Sequence, residues 1–360
     1  MLAIRVGGVR TLCAAAKRAG RACDPGGAMD FSTIAGIAGG HAEARAIQVA
    51  TSLGLFESLS GTALDDAAIA RAVGCDRRAT GLLANALTAI GLLAKSSGRY
   101  SLTAPAARHL LAGGPEYLGD MILFDAALWS EWGRLEDSIR SGAPARTPDF
   151  FQSDPAATAR FIRAMDSLVR ARGDARWTAA HLDLSGVRTI ADLGGGPGTY
   201  LAEFVDRWPG LRGELWDLQP TLEVARQVLA ERASAALARI ELRPADYRAD
   251  RLPGPVDAIF MSNIIHSEDE AMNQAIAAKC FSALTPGGLV AIKDHIMDRD
   301  LVEPPAGAIF SLFLLLTTRG RDYSFDETAG WLRAAGFADL ALTELPHPPY
   351  TSAIVTARKP

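Results

Sequence analysis

The stretch Thr189–Tyr200, TIADLGGGPGTY, constrains this chain more than any other. An apolar run ends in an acid, glycines follow two apart at Gly194, Gly196 and Gly198, and a helix-like segment begins at Tyr200. A strand carrying Ile190 and Leu193 must turn sharply into that helix. Glycine permits the positive φ and the close ligand approach that such a turn needs. A dinucleotide fingerprint reads G-x-G-x-x-G and aims a helix N-terminus at a pyrophosphate. Here the third glycine comes one place early and Thr199 follows it. Asp192 at the strand end would repel phosphate and suits a cationic ligand, a sulfonium with an α-ammonium group. The loop therefore reads as a site for S-adenosylmethionine rather than for a dinucleotide.

Two further apolar segments end in the same way. Asp217 closes GELWDL, with Leu218 beside it, and Asp246 closes ARIELRPADY. Ligands of open α/β sheets bind along the C-terminal edge of the strands, so acids in order after successive strands describe a nucleoside site. Asp217 is expected to accept the ribose hydroxyls and Asp246 the adenine amino group, with Tyr247 lying against the ring. From about Leu184 onward strand-like runs alternate with helical patterns. That alternation predicts an α/β fold with a doubly wound, Rossmann-like sheet and helices on both faces.

The N-terminal half reads differently. Residues 41–59 place Ala46, Val49, Ala50, Leu53 and Phe56 on one helical face, interrupted near the end by Gly54. A helix from Asp65 to Val73 is closed by Gly74, and a second, capped by Asp76, runs to Ile90 before Gly91. The hairpin pattern LLAKSSGRYSL completes a winged-helix unit. Such units read DNA through their second helix, and Arg77 and Arg78 stand at its start. Its remainder, ATGLLANALTAI, is apolar and suits a protein interface better. Residues 115–182 then carry helical patterns with Phe124, Trp129, Trp132, Phe161 and Met165, residue types that at this spacing usually form core. The expected organisation is a disordered or non-native leader over 1–28, a winged-helix domain over 29–113, a helical linker over 114–182 and the cofactor domain over 183–360.

Together these segments resemble the small-molecule O-methyltransferases, the family of plant caffeate, flavonoid and hydroxyindole enzymes and of bacterial antibiotic-tailoring enzymes. The resemblance covers about residues 30–358 and rests on DLGGGPGTYLAEF, DLQPTLEVA, PADY, NIIHSEDE around His266, ALTPGGLVAIKDHIMD and the closing WLRAAGF. It implies an S-adenosylmethionine domain with no metal, behind a helical winged-helix unit that makes a homodimer. It also implies that the 115–182 segment walls the acceptor pocket, with Phe124, Trp129, Phe161 and Met165 as substrate contacts.

His266 matches the family's general base. It follows the apolar run DAIFMSNII, hence the end of a fourth strand at the cofactor edge. Methyl transfer to a phenol needs somewhere for the acceptor's proton to go, since a phenol of pKa about 10 is mostly protonated at neutral pH. Two family acids that flank the base match by position as Asp294 and Asp322, both shortened from Glu. His295, next to Asp294, is expected on the opposite face by strand alternation. Glu268 occupies the family's usual tryptophan position, and Ser262, counted with the cofactor site, stands where plant members often carry a lysine.

Composition fits these expectations. A chain of 360 residues is long enough for two ordinary domains, and 49% hydrophobic residues is a globular share. A net charge of −4 gives no electrostatic footprint for nucleic acid or an anionic membrane. Cys13, Cys23, Cys75 and Cys280 are scattered, which suggests neither a disulfide framework nor a zinc site. The leader carries five basic residues and one acid but lacks the continuous apolar core of a secretory signal, which leaves a cryptic organellar leader as the alternative to a disordered or non-native one; a cytoplasmic protein is expected. AGAIFSLFLLLTT, residues 306–318, is too short to span a membrane, which takes about 20 residues, and reads as a buried helix. Competing readings are S- or C-methylation of a small metabolite on the same fold, and a DNA-binding regulator that senses S-adenosylmethionine. An NAD-dependent dehydrogenase fits the glycine spacing less well.

Overall fold

The computed structural model describes residues 29–147, 150–152, 154–232, 234–345 and 352–360. The leader expected over 1–28 lies outside the described residues. The chain divides into two compact units, with the boundary between Ala127 and Leu128.

In the first unit, helix Phe31–Ser52 starts where Asp30 accepts the Thr33 N–H, ten residues before the apolar stripe becomes regular. Gly54, at φ 71°, breaks it from the short helix Leu55–Ser58. That break rotates the face: Phe56 is buried, whereas Leu53, expected beside it, is exposed. Helix Asp66–Val73 is capped by Asp65 and closed by left-handed Gly74, and helix Arg77–Ala89 is capped by Asp76. Strands β1 (Leu93–Ser96) and β2 (Arg99–Leu102) pair antiparallel. Their two-residue turn holds Ser97 and Gly98 at φ 48° and 74°, the double left-handed conformation that matches the strands' twist. The expected helix–helix–hairpin order is therefore present, around a core of Leu55, Phe56, Leu59, Ile69, Leu87, Leu93 and Tyr100.

The second unit carries a seven-stranded sheet: β3 (Thr189–Leu193), β4 (Arg212–Asp217), β5 (Ile240–Pro244), β6 (Val256–Ser262), β7 (Leu284–Asp294), β10 (Ala338–Leu345) and β11 (Ser352–Arg358). The spatial order is β10-β11-β7-β6-β3-β4-β5. Strands β3 to β7 run parallel, and β11 is antiparallel to both of its neighbours. Alternation sorts β7 cleanly. Val290 and Ile292 join helices Glu270–Ala283 and Phe325–Ala334 on one face. Leu289 and Ala291 join helices Asp174–His181 and Thr199–Arg207 on the other. Chain order reverses between β6 and β3, which opens the crevice in which such sheets hold ligands.

Helix Pro305–Thr317 departs from the expected buried helix. It buries Gly307, Leu314, Leu316 and Thr317 but leaves Ile309 63% exposed, so an all-apolar sequence covers its neighbours on one side only. Two short strands, β8 (Ile296–Met297) and β9 (Tyr323–Ser324), pair in parallel on either side of this helix in the chain.

One buried ion pair crosses the second face of the sheet. Lys293 of β7 places its Nζ 2.9 Å from Asp174 Oδ2, each side chain 1% exposed, and Tyr200 donates its hydroxyl to the same carboxylate oxygen at 2.8 Å. Burial, the largest influence on Asp174, favours its protonation, but Lys293 and Arg172 outweigh it and hold the carboxyl below its usual range. Removing one partner strands the other charge. Lys293→Met is expected to cost about 3–5 kcal/mol. Adding Asp174→Leu should return much of that loss, as read by thermal and denaturant unfolding of the single and double variants.

Candidate active site

The glycine loop meets two separate demands. Gly194, Gly196 and Gly198 all lie in the left-handed region, at φ 65°, 55° and 74°. Gly195 has ordinary φ but no room, because a Cβ there would strike the Asp192 carboxyl and Leu215. Sequence spacing singled out the first three; the space around Gly195 depends on packing with β3 and β4. Thr199 Oγ1 donates to Asp166 Oδ1 at 2.6 Å, and Arg232 reaches the same oxygen at 3.0 Å. Asp166 thus ties the start of the loop's helix to helix Pro155–Arg172, a contact that no local pattern signals.

The three strand-end acids behave differently from one another. Asp192 is the penultimate residue of β3, fully buried beneath the loop, and neither carboxyl oxygen has a hydrogen-bond partner. Burial, with Asp217 nearby, pushes its pKa up to about 8. At neutral pH it is therefore largely uncharged, not the standing anion expected from the strand-end position. Asp217 ends β4 and accepts the N–H groups of Gly196 at 2.9 Å and Leu218 at 2.7 Å, which clasp the loop to the next strand. Burial outweighs those donors and raises it to about 6. Asp246 lies two residues beyond β5 and accepts the Arg248 N–H of its own turn at 2.9 Å.

Tyr247 and Ile264 stand against Gly194, where a Cβ would clash with Ile264 and come within 3.6 Å of the Tyr247 ring. The Tyr247 hydroxyl donates to Glu268 Oε1 at 2.8 Å, and Arg248 reaches that oxygen at 2.6 Å. Glu268, read from the sequence as a lost ring, is a buried anchor that joins the β5 loop to the turn carrying His266. Ser262 ends β6 and is the register partner of Lys293 on β7.

His266 sits in a short 3-10 turn, Ile265–Ser267, just past β6. Asn273 donates to Ile265 O at 2.9 Å and Tyr323 to Glu268 O at 2.7 Å, so two side chains fix the turn's backbone. Gly320 packs directly on that backbone, and a Cβ there would strike the His266 carbonyl oxygen. His266 Nδ1 lies 2.6 Å from Asp294 Oδ1 and 3.9 Å from Asp322 Oδ1, with all three residues buried. Burial is the largest influence on His266 and disfavours its charged form. Asp294, assisted by Asp322, outweighs burial and raises the imidazole above its ordinary pKa. Asp294 is held below the usual carboxylate range, because His266 and His295 outweigh its burial, whereas burial raises Asp322. An ionised Asp294 accepts from Nδ1–H, which leaves Nε2 as the basic nitrogen.

His295 corrects the alternation argument. β7 ends at Asp294, so the chain bends and His295 enters the same cluster, with its Nδ1 3.4 Å from Asp322 Oδ2. Phe310 of helix Pro305–Thr317 packs edge-on to both imidazoles, each ring centroid 5.2 Å away. Phe310 was hidden in the sequence inside a uniformly apolar run. Phe313 stacks on Phe310 at 5.3 Å and Trp132 leans on Phe313 at 6.3 Å.

Of the residues expected to wall an acceptor pocket, Trp129 lies on a short helix ending at Trp132 and is 38% exposed. Met165 is half-buried. Phe161 stacks on Phe151 at 4.1 Å and packs with Val224 and Val228 of the helix after β4. Phe124 lies half-buried on helix Gly119–Ala127 of the first unit. His266, Asp294 and Asp322 offer a nitrogen and two oxygens within 4.8 Å of one another, a span that a cation's ligands also show. The 2.6 Å bond between two of them favours a proton in that place.

The O-methyltransferase domain family matches residues 138–338, and the O-methyltransferase dimerisation domain matches residues 36–112. A Streptomyces sahachiroi 3-hydroxy-5-methyl-1-naphthoate 3-O-methyltransferase is 34% identical over 87% of this chain and 91% of its own length. Among solved structures, mitomycin 7-O-methyltransferase is 28% identical with a TM-score of 0.79, covering 91% of this chain and 97% of that one. Human N-acetylserotonin methyltransferase in complex with S-adenosylmethionine shares the fold at a TM-score of 0.83 and 22% identity, over 93% of this chain and 99% of that one. Two matched domains in this order, with a 34% identical relative along most of both chains, make the conclusion plain: the chain belongs to the S-adenosylmethionine-dependent O-methyltransferases.

Proposed function

We propose that this enzyme methylates a hydroxyl on a small aromatic metabolite, with His266 as general base and Asp294 and Asp322 as the acids that support it. The hydrogen bond of 2.6 Å between His266 Nδ1 and Asp294 carries this reading, because it fixes the tautomer that leaves Nε2 for the acceptor's proton. The relative that acts on a hydroxynaphthoate supports the acceptor class.

The residues fit the methyl donor. Gly196 leaves open space beside the loop, where a Cβ would meet only Ile162 at 3.8 Å, and the buried Asp192 carboxyl has unspent acceptors. Asp192, Gly194, Gly196, Gly198, Asp217, Leu218, Asp246, Tyr247 and Ser262 would hold it. S-adenosylmethionine, when bound, supplies an electrophilic methyl group on sulfur. The chain's own work is to hold the acceptor hydroxyl in line, exclude water around Phe310 and take the proton at His266 Nε2. The imidazolium that results is stabilised by Asp294 across the same hydrogen bond. Within the second unit Trp129, Phe161 and Met165 remain candidates for the acceptor's walls, and Phe310 joins them.

The protein acts as a homodimer in the cytoplasm. The match to a dimerisation domain supports the dimer, as do Phe31, Ile34 and Ile37, exposed on one helix of the first unit. Among the described residues no helix is long and apolar enough to cross a membrane. A thioether acceptor gains no support, since it has no proton for the His266–Asp294 pair to remove.

His266→Ala should lower kcat by about 10²–10⁴-fold while leaving S-adenosylhomocysteine affinity unchanged, and wild-type turnover at all pH values would refute the role. Because the His266 pKa is raised, its basic form is gained only as pH rises through that higher value. The acid limb of kcat/KM should therefore lie above the usual imidazole value, about 6.5. Asp294→Asn should move the limb to lower pH. Asp217→Ala should abolish saturable S-adenosylhomocysteine binding in calorimetry, since it removes the clasp between the loop and β4; full retention of affinity would exclude Asp217 from the cofactor site.

A further inference from the structure

We propose that His295 and Asp322 form a second imidazole–carboxylate pair in this site, and that His295 is a positioning residue that keeps Asp322 ionised for His266. The inference rests on the reading of His266 as the base.

Asp322 is 2% exposed, and no backbone N–H group is bonded to its side chain. The neighbouring donors are two imidazoles, His295 Nδ1 at 3.4 Å from Oδ2 and His266 Nδ1 at 3.9 Å from Oδ1. His266 Nδ1 is already committed to Asp294 at 2.6 Å. Neither His295 Nδ1 nor either Asp322 oxygen has a hydrogen-bond partner, and Nδ1 and Oδ2 face each other at 3.4 Å, an ion-pair approach that a small rotation turns into a hydrogen bond. A buried carboxyl without a donor takes up a proton rather than stand as an anion. His295 is thus the group able to hold Asp322 charged, and a charged Asp322 favours the imidazolium that His266 becomes when it accepts a proton.

The surroundings supply no substitute. Helix Pro305–Thr317 presents Phe310 to both rings, and its Gly307 lets the helix backbone approach, since a Cβ there would lie 3.2 Å from Asp322 Oδ2 and 3.4 Å from His295 Cβ. Ser311 of that helix accepts the Asp322 N–H through its hydroxyl. From β7, Asp294 accepts the His295 N–H at 2.9 Å, and Lys293 is paired with Asp174 on the opposite face of the sheet. Arg321 pairs with Glu327 and donates to the Asp322 backbone oxygen rather than its carboxylate. On the His266 turn, Glu268 is held by Arg248 and Tyr247.

The test uses the full-length protein bound to S-adenosylhomocysteine, with imidazole nitrogens followed by NMR across pH. In the wild type, neutral His295 is expected to carry its proton on Nδ1; a proton on Nε2 overturns the proposal without any variant. His295→Phe keeps a ring against Phe310 but removes the donor, and should lower the His266 pKa and shift the acid limb of kcat/KM to lower pH. His295→Asn places an amide N–H near the former Nδ1 and should restore both toward wild type. An unmoved or raised His266 pKa in His295→Phe, with the fold intact, overturns the proposal. The NMR readings need no acceptor. Failure of the base role would appear instead as undiminished turnover in His266→Ala, whatever the NMR titration gives.

Discussion

Strand β3 lies between β4 and β6, and everything functional in the second unit depends on that placement. The chain leaves β3 toward one side of the sheet and, after β5, returns to the other, so the loops after β3 and β6 diverge and leave a crevice. The glycine loop and Asp217 stand on one side of it, at the ends of β3 and β4. Ser262 and the His266 turn stand at the end of β6, and Asp294 at the end of β7. Residues as distant in the chain as Gly194 and Ile264 meet because parallel strands all deliver their C-terminal ends to one edge.

That edge concentrates buried, incompletely paired polar atoms. Asp192, Asp294, Asp322 and His295 all contribute atoms without a hydrogen-bond partner. Such atoms are costly in a folded interior, and native proteins retain few of them. Their clustering at one sheet edge is consistent with a surface built to be completed by ligands and protons. The cost is borne by a sheet whose two faces are densely packed, by the Lys293–Asp174–Tyr200 network on one face and the Ile276, Cys280, Trp331 cluster on the other.

The departures from the family pattern are coordinated. Where a tryptophan was expected, Glu268 binds both Tyr247 and Arg248 and so links the β5 loop to the His266 turn. Ser262 lacks the lysine of plant members, yet its neighbour across the ladder is Lys293. Beside one of the two shortened acids a second imidazole, His295, comes within 3.4 Å of Asp322.

Much of this was legible in the residues themselves. Glycine positions, N-cap acids and the Ser97–Gly98 turn act within a few residues, so the loop, the helix limits of the winged unit and its hairpin could be read directly. The alternation of strands and helices gave the sheet class, and the resemblance to the O-methyltransferases pointed to His266, Asp294 and Asp322, which lie together in the fold. Whatever depended on contact between distant segments could not. Leu53 turned outward because Gly54 rotates the chain beyond it, and His295 turned inward because β7 ends one residue earlier. Phe310, Gly195 and Asp166 acquire their importance from neighbours remote in the chain. Even the charge of Asp192 was decided by burial, since a carboxyl's pKa follows its surroundings and not its name. The sequence by itself determined the local geometry and the chemical types available; the tertiary structure decided which of them meet and in what protonation state, because sterics act between near neighbours in the chain while desolvation and pairing act between neighbours in space.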